Sequence, residues 1–117
     1  MNRIPRKLWA VLVLAALSLA LVLANRMASP AVSYAEARAV VDQHCVACHS
    51  EHPTVPAFPI APGGLVLDTA DQMQRYAEVM RVRTVVKRDM PLLNKTHMTD
   101  GERAVLNGWV EGGARGP

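Results

Sequence analysis

The sequence predicts an all-α domain of three to four helices behind a single apolar N-terminal helix. Three observations support this prediction. Residues 8–24 contain no charged side chain, two later segments open with a Ser/Thr-x-x-Glu capping box, and residues 68–89 repeat apolar side chains at helical spacing. At 117 residues the chain has room for one domain and an appendage.

The N-terminal segment combines a basic flank, residues 1–7, with the apolar run LWAVLVLAALSLALVLA of residues 8–24. At about 1.5 Å per residue, a helix of that length spans roughly 25 Å, near the lower limit for crossing a bilayer core of about 30 Å. We therefore expect a transmembrane anchor, with cleavage as a signal sequence after Ala24 as the alternative. The basic flank predicts a cytoplasmic N-terminus and export of the remainder.

The exported part is predicted to consist of a linker, residues 25–32, and one domain, residues 33–117. Residues 25–117 contain ten Lys and Arg and all ten Asp and Glu, so they carry no formal net charge. The sequence pI of about 9.2 therefore reflects the N-terminal flank. Without a basic excess in the domain, nucleic-acid binding is not expected.

The domain is predicted to contain helices at residues 33–44, 68–89 and 99–113, separated by loops at 52–64 and 90–98. The first and last helices open with capping boxes, and the middle one has Asp and Thr at its start. The first loop is rich in proline and glycine, which exclude regular structure. The side chains expected to pack are Tyr34, Ala37, Val40, Val41, Met73, Tyr76, Ala77, Met80 and Trp109.

Residues 45–49, CVACH, contain both cysteines of the chain. A zinc site takes four ligands, and Cys45, Cys48 and His49 are one short. A thioredoxin-like dithiol needs a strand–helix frame, and no strand pattern precedes this segment. Cys-x-x-Cys-His is the attachment signal of c-type haem, in which two thioether bonds place the histidine under the iron. We therefore expect one covalently attached haem c on the two cysteines, with His49 as an axial iron ligand.

The second axial ligand is predicted to be Met90. Pro91 removes a backbone donor and holds the chain extended, which suits the presentation of a side chain to a buried iron. Met98 directly precedes the cap of the last helix, where an apolar residue usually packs back onto that helix. Met98, His97 and an open sixth position remain the alternatives. Met73 and Met80 lie on a helical face and are expected to pack.

His44 and the basic run are interpreted as surface features rather than as parts of the haem site. His44 is expected to be a surface residue at the end of the first domain helix. The basic run between residues 75 and 88 is expected to be a solvated helix face, with docking to an acidic partner or to haem propionates as the alternative.

CVACH, the loop HPTVPAFPIAPGGLVLDT and the segment MPLLNKTHMTDGERAVLNGWVEGGA together resemble a class I cytochrome c. They are most similar to the C-terminal cytochrome c domain of bacterial membrane-bound urate hydroxylases, over nearly all of residues 34–114. The resemblance implies a small class I cytochrome c fold, with Ala37 and Trp109 as the small and aromatic residues where the first and last helices meet. In that family a multi-helix membrane domain precedes the cytochrome, whereas here one short anchor does, so urate oxidation is not expected of this chain.

The resemblance implies a carrier of single electrons rather than an enzyme. We expect a single-pass protein of the bacterial inner membrane with its haem domain in the periplasm. A membrane dehydrogenase or a urate-hydroxylase-like protein is the expected electron donor, and a terminal oxidase or soluble cytochrome the expected acceptor. The alternative is a haem-based sensor or small-ligand enzyme with an open sixth coordination position.

Overall fold

The structure, a computed structural model, describes the backbone of residues 5–28 and 31–117 and the side chains of residues 5–25 and 31–117. The described residues form helices and no strand, which confirms the predicted all-α class. The chain divides into two units between Pro30 and Ala31. Residues 1–4 of the predicted flank and residues 29–30 of the predicted linker lie outside the described residues.

Helix α1 covers Arg6–Ala28. Its side chains are exposed from Arg6 to Asn25, and these 20 residues are long and apolar enough to cross a membrane, as those of a signal sequence also are. The helix continues past the predicted start of the linker at residue 25, because residues 25–28 contain neither glycine nor proline.

Helices α2, Tyr34–His44, and α5, Asp100–Glu111, open as predicted. In each capping box the hydroxyl at the cap accepts from the backbone N–H three residues on, at 3.3 Å in α2 and 3.2 Å in α5. The glutamate at that third position accepts from the backbone N–H of the cap, at 2.8 Å and 2.7 Å. Both boxes are therefore complete, and each satisfies two N–H groups that a helix start otherwise leaves unpaired.

The predicted helix over residues 68–89 is wrong in its continuity. The segment forms α3, Ala70–Arg75, then α4, Ala77–Arg81, and then a π-helical turn, Val82–Val86. Thr69 caps α3, and its hydroxyl accepts from the N–H of Gln72 at 3.2 Å. Tyr76, with φ −102° and ψ 10°, leaves the helical region and separates α3 from α4.

The π-helical turn forms because side chains compete for its carbonyl groups. The Thr84 hydroxyl donates to the Met80 carbonyl at 2.8 Å, the acceptor that an α-helix reserves for the Thr84 N–H. The Thr84 carbonyl accepts from Arg103 of α5. In an α-helix that carbonyl would accept from Arg88, but Arg88 has φ +57° and ends the helix. Four of the five residues 82–86 are β-branched, which lowers helix propensity further.

The domain core lies where α5 packs against α2, against α4 and against the π-helical turn. Val32, just before α2, approaches α5 so closely that a Cβ on Gly108 would stand 2.7 Å from its Cγ2 atom. Tyr34 and Tyr76 are partly buried at the edge of this core. The buried apolar side chains are Ala37, Val40, Val41, Leu67, Met73, Ala77, Met80, Met98, Leu106 and Trp109.

Candidate functional site

The CVACH segment forms a tight turn directly after α2, which we call the attachment turn (residues 45–49). The Cys45 N–H continues the helix by donating to the Val41 carbonyl at 2.9 Å. The N–H groups of Cys48 and His49 both donate back to the Cys45 carbonyl, at 3.1 and 2.8 Å. The two cysteines are half-buried free thiols. Local backbone hydrogen bonds therefore bring both sulfur atoms and the imidazole to the end of one helix.

His49 is oriented by a single hydrogen bond from its ring. Its Nδ1 atom lies 2.9 Å from the Leu65 carbonyl oxygen. A carbonyl only accepts, so Nδ1 carries the proton, and the other nitrogen of the neutral ring, Nε2, presents a lone pair. Within the described part of the chain, Nε2 makes no hydrogen bond. A histidine held in this way, with one nitrogen tied to a carbonyl, has the arrangement that proteins use for metal-ligating imidazoles.

The first predicted loop folds back over the attachment turn. Its start is held by Thr54, whose N–H donates to the Ala47 carbonyl at 2.9 Å. Near its end, a 3₁₀ turn over Pro62–Gly64 reverses the chain through two positive φ angles, +66° at Gly63 and +68° at Gly64. This reversal directs the Leu65 carbonyl to His49.

Two further contacts hold the segment that follows Leu65. The Leu67 N–H donates to the His49 carbonyl at 2.9 Å. Arg38 of α2 donates to the carbonyls of Leu67 and Asp68, at 2.6 and 3.1 Å. The strand-like segment that orients the imidazole is thus tied both to the attachment turn and to the helix before it.

The second predicted loop, residues 90–98, lies within a longer segment, residues 87–99, that joins the π-helical turn to α5 and is called the Met90 loop below. Pro91 is buried, and a 3₁₀ turn over Leu92–Asn94 follows it. The Met90 N–H donates to the Arg83 carbonyl at 3.2 Å, and the Met90 carbonyl accepts from Arg103 Nη1 at 2.9 Å. The backbone at Met90 is therefore held from both sides.

The four methionines that follow the attachment turn differ in burial. Met73, Met80 and Met98 are at most 5% exposed and belong to the core, as expected for packing residues. Met90 is half-buried and lies outside that core cluster. Of these four thioethers, only that of Met90 is not already enclosed by the core. His97 is exposed.

The alternative chemistries of the two cysteines find little support. Burial raises the pKa of the Cys45 thiol to about 12, whereas a redox dithiol uses a nucleophile whose pKa is lowered. Among the described residues, no three His, Cys, Asp or Glu side chains come together as a metal site.

His44 was expected at the surface, and this prediction is wrong. Its side chain is fully buried, with Nδ1 2.8 Å from the Thr96 hydroxyl and Nε2 3.1 Å from Glu102 Oε1. These contacts join the end of α2 to the Met90 loop and to α5. Hydrogen bonds from the Thr99 backbone, from His44 and from the Thr99 hydroxyl lower the pKa of Glu102 to about 2. A polar residue at a helix end gives no sequence signal of such burial.

The basic run is largely neutralised by nearby acids. Arg81 pairs with Glu78 at 2.6 Å, Arg83 pairs with Asp89 at 2.7 Å, and Arg88 pairs with Asp100. These local pairs support the interpretation of the run as a solvated helix face.

Comparison of the chain with protein-family models, with curated proteins and with solved structures gives no match. The residues of the attachment turn and of the Met90 loop therefore carry the functional conclusion.

Proposed function

We propose that the chain is a membrane-anchored, monohaem c-type cytochrome that carries single electrons, with the domain after α1 in a small class I cytochrome c fold. The observation that carries the proposal is the position of His49 in the sequence together with the hydrogen bond of its ring. It directly follows Cys-x-x-Cys, and its Nδ1 atom is engaged by the Leu65 carbonyl at 2.9 Å, so Nε2 is left to ligate iron.

The residues present fit a covalently attached haem. Cys45 and Cys48 are free thiols separated by two residues, the spacing of the c-type haem attachment signal. His49, next in the chain, is the proximal ligand. When bound, the haem supplies a one-electron couple whose potential depends on axial ligands, burial and nearby charges. The thin core of a domain this small also favours a cofactor as a structural component.

Met90 is the proposed second ligand. Its side chain does not belong to the core cluster. Its backbone N–H donates to the Arg83 carbonyl, and its carbonyl accepts from Arg103. A Met/His pair raises the reduction potential and closes the coordination shell, which suits electron transfer and excludes substrates from the iron. The rival function, a sensor or small-ligand enzyme, requires Met90 to be absent from the iron.

The N-terminal helix supports a membrane location. Arg6–Asn25 of α1 are long and apolar enough to span a bilayer, and the basic flank before them favours a cytoplasmic N-terminus. The haem domain is then periplasmic, at the outer face of a bacterial inner membrane. Its partners are redox proteins: a membrane dehydrogenase or urate-hydroxylase-like donor, and a terminal oxidase or soluble cytochrome acceptor.

Optical spectra of the purified full chain in both redox states test this function. We expect the sharp bands of a c-type haem in the reduced state and a methionine-to-iron charge-transfer band in the oxidised state. The reduced protein should not bind carbon monoxide, because the thioether closes the iron. Haem bands with ready carbon monoxide binding would favour the sensor or small-ligand enzyme, and a protein without haem would exclude both functions.

A further inference from the structure

Arg103 is a charged residue buried in the domain. It lies one turn into α5, and only 5% of its surface is exposed. Charged side chains are almost never buried to that degree unless something specific engages them. The partners of its guanidinium group therefore indicate what the residue does.

Those partners are neutral oxygens around the Met90 loop. Nη1 donates to the Thr84 carbonyl and, at 2.9 Å, to the Met90 carbonyl. Nη2 lies 3.4 Å from Asn94 Oδ1. Asn94 in turn accepts from the Met98 N–H at 3.0 Å and donates to the Met98 carbonyl at 3.2 Å. One guanidinium thus connects the π-helical turn to the loop at Met90 and at Asn94, and Asn94 extends this connection to Met98 near the end of the loop.

No carboxylate lies within ion-pair distance of Arg103 among the residues that the structure describes, and its Nε atom is buried without a partner. A site built only for stability would gain more from an apolar side chain of similar volume, because desolvation of the charge is costly. The planar fork of donors, in contrast, is suited to holding two carbonyls at a set separation.

The loop that Arg103 contacts needs such support. Four of the five non-glycine residues with positive φ in the described chain lie between residues 88 and 97: Arg88, Leu93, Asn94 and His97. Left-handed conformations of non-glycine residues persist only where surrounding contacts impose them. Arg103 contacts this strained segment at Met90 and at Asn94.

We propose that Arg103 is the positioning residue for the second axial ligand: by clamping the Met90 carbonyl to α5, it keeps the Met90 thioether at the iron. This proposal rests on the proposed haem function. Arg103 touches neither haem nor iron in it and acts through the Met90 backbone. Removal of the clamp releases the loop, and the iron then loses its thioether while the His49 side remains intact.

The test compares R103K and R103L with L106A in the haem-loaded full chain. Lys keeps the charge but not the fork, and Leu removes both. Leu106 is a buried core residue on the same helix, and its apolar side chain has no group that can hydrogen-bond to the loop, so L106A is a matched loss of packing. We expect both Arg103 variants to lose at least half of the charge-transfer band intensity and to bind carbon monoxide at least tenfold more readily. L106A should keep the band and exclude carbon monoxide.

Thermal melts separate positioning from general stability. In R103K the band should disappear at a lower temperature than the far-ultraviolet helical signal, whereas in L106A the two should fall together. Arg103 variants with a wild-type band, or with band and helix melting together, overturn the proposal. If neither Arg103 variant loads haem while L106A does, Arg103 is required for the folding of the whole domain rather than for the position of Met90. This result would also overturn the proposal.

Failure of the proposed function gives a different result. It leaves the wild-type chain without haem or without the band, whatever residue stands at position 103. Failure of the clamp alone leaves the wild-type band intact and still sensitive to Met90→Ala.

Discussion

The attachment turn and the Met90 loop are held in place in different ways. The turn is short in sequence, and the backbone hydrogen bonds that shape it, between Val41 and His49, join residues three to five positions apart. In the Met90 loop, no comparable set of short-range backbone hydrogen bonds holds Met90. Met90 is held by Arg83 and by Arg103, which are 7 and 13 positions away in the chain.

This difference matches the two requirements of the proposed haem site, which are covalent attachment and a second iron ligand. In the proposed function, covalent haem attachment requires two thiols and an imidazole in a set spacing, and the turn at the end of α2 supplies that spacing. A second axial ligand has to arrive from elsewhere in the chain, so tertiary contacts must bring it. Five consecutive residues therefore bring the two cysteines and His49 together, although the distant Leu65 carbonyl orients the His49 ring. The placement of Met90, the proposed second ligand, depends on tertiary contacts.

Replacement of Met90 should have the largest effect on the distal side. Met90→Ala removes the proposed thioether, so we expect loss of the charge-transfer band, a lower reduction potential and carbon monoxide binding. Met98→Ala is the matched control, because Met98 is 3% exposed and packs in the core. It should keep the band and lower the free energy of unfolding by about 2–5 kcal/mol.

The same pair of variants can contradict the assignment of Met90 as the second ligand. A band that survives in Met90→Ala and disappears in Met98→Ala would move the ligand to the buried end of the loop. A band retained in both would mean that the thioether comes from a helix, from Met73 or Met80.

The local features of the fold were predictable from sequence. The capping boxes at Ser33 and Thr99 formed as expected, because each depends on two side chains three residues apart. The packed faces around Val41 and Met73 followed from apolar periodicity. The spacing of the cysteines singled out the CVACH segment, and haem attachment there stays a prediction.

The features that depend on distant partners were not predictable. The middle helix was expected to run unbroken, but the Thr84 carbonyl is taken by Arg103 and the helix unwinds there. His44 and Arg103 resemble surface residues in the sequence and are buried in the structure. Their hydrogen-bond partners lie on other structural elements, and the sequence around each residue does not indicate those long-range contacts.

A smaller, pH-dependent effect is expected where the two regions meet. His44 of α2 faces Glu102 of α5, and the pKa of Glu102 lies near 2 in the folded domain against an ordinary value of 4.5. A lowered carboxyl pKa contributes stability that is present above pH 4.5 and is lost as the pH falls through about 2. Glu102→Gln should therefore flatten the decline of unfolding free energy across this range, measured by urea titration at several pH values.

Glu36→Gln is the matched variant for that measurement. Glu36 completes the other capping box, and hydrogen bonds from Ser33 also lower its pKa, but no histidine faces it. We expect a smaller flattening in Glu36→Gln than in Glu102→Gln. Equal slopes in the two variants would show that the capping boxes act alike and that His44 adds nothing to acid stability.

Covalent attachment is the most direct test of the central claim. The mass of the denatured full chain should exceed that of the polypeptide by one haem, and the denatured protein should stain for haem. Cys45→Ala/Cys48→Ala should lose both signals and leave the domain largely unfolded, because the cofactor completes the core. His52→Ala, a change at an exposed histidine beside the turn, should keep both. A wild-type chain without the added mass, or a double variant that folds stably without haem, would contradict the account.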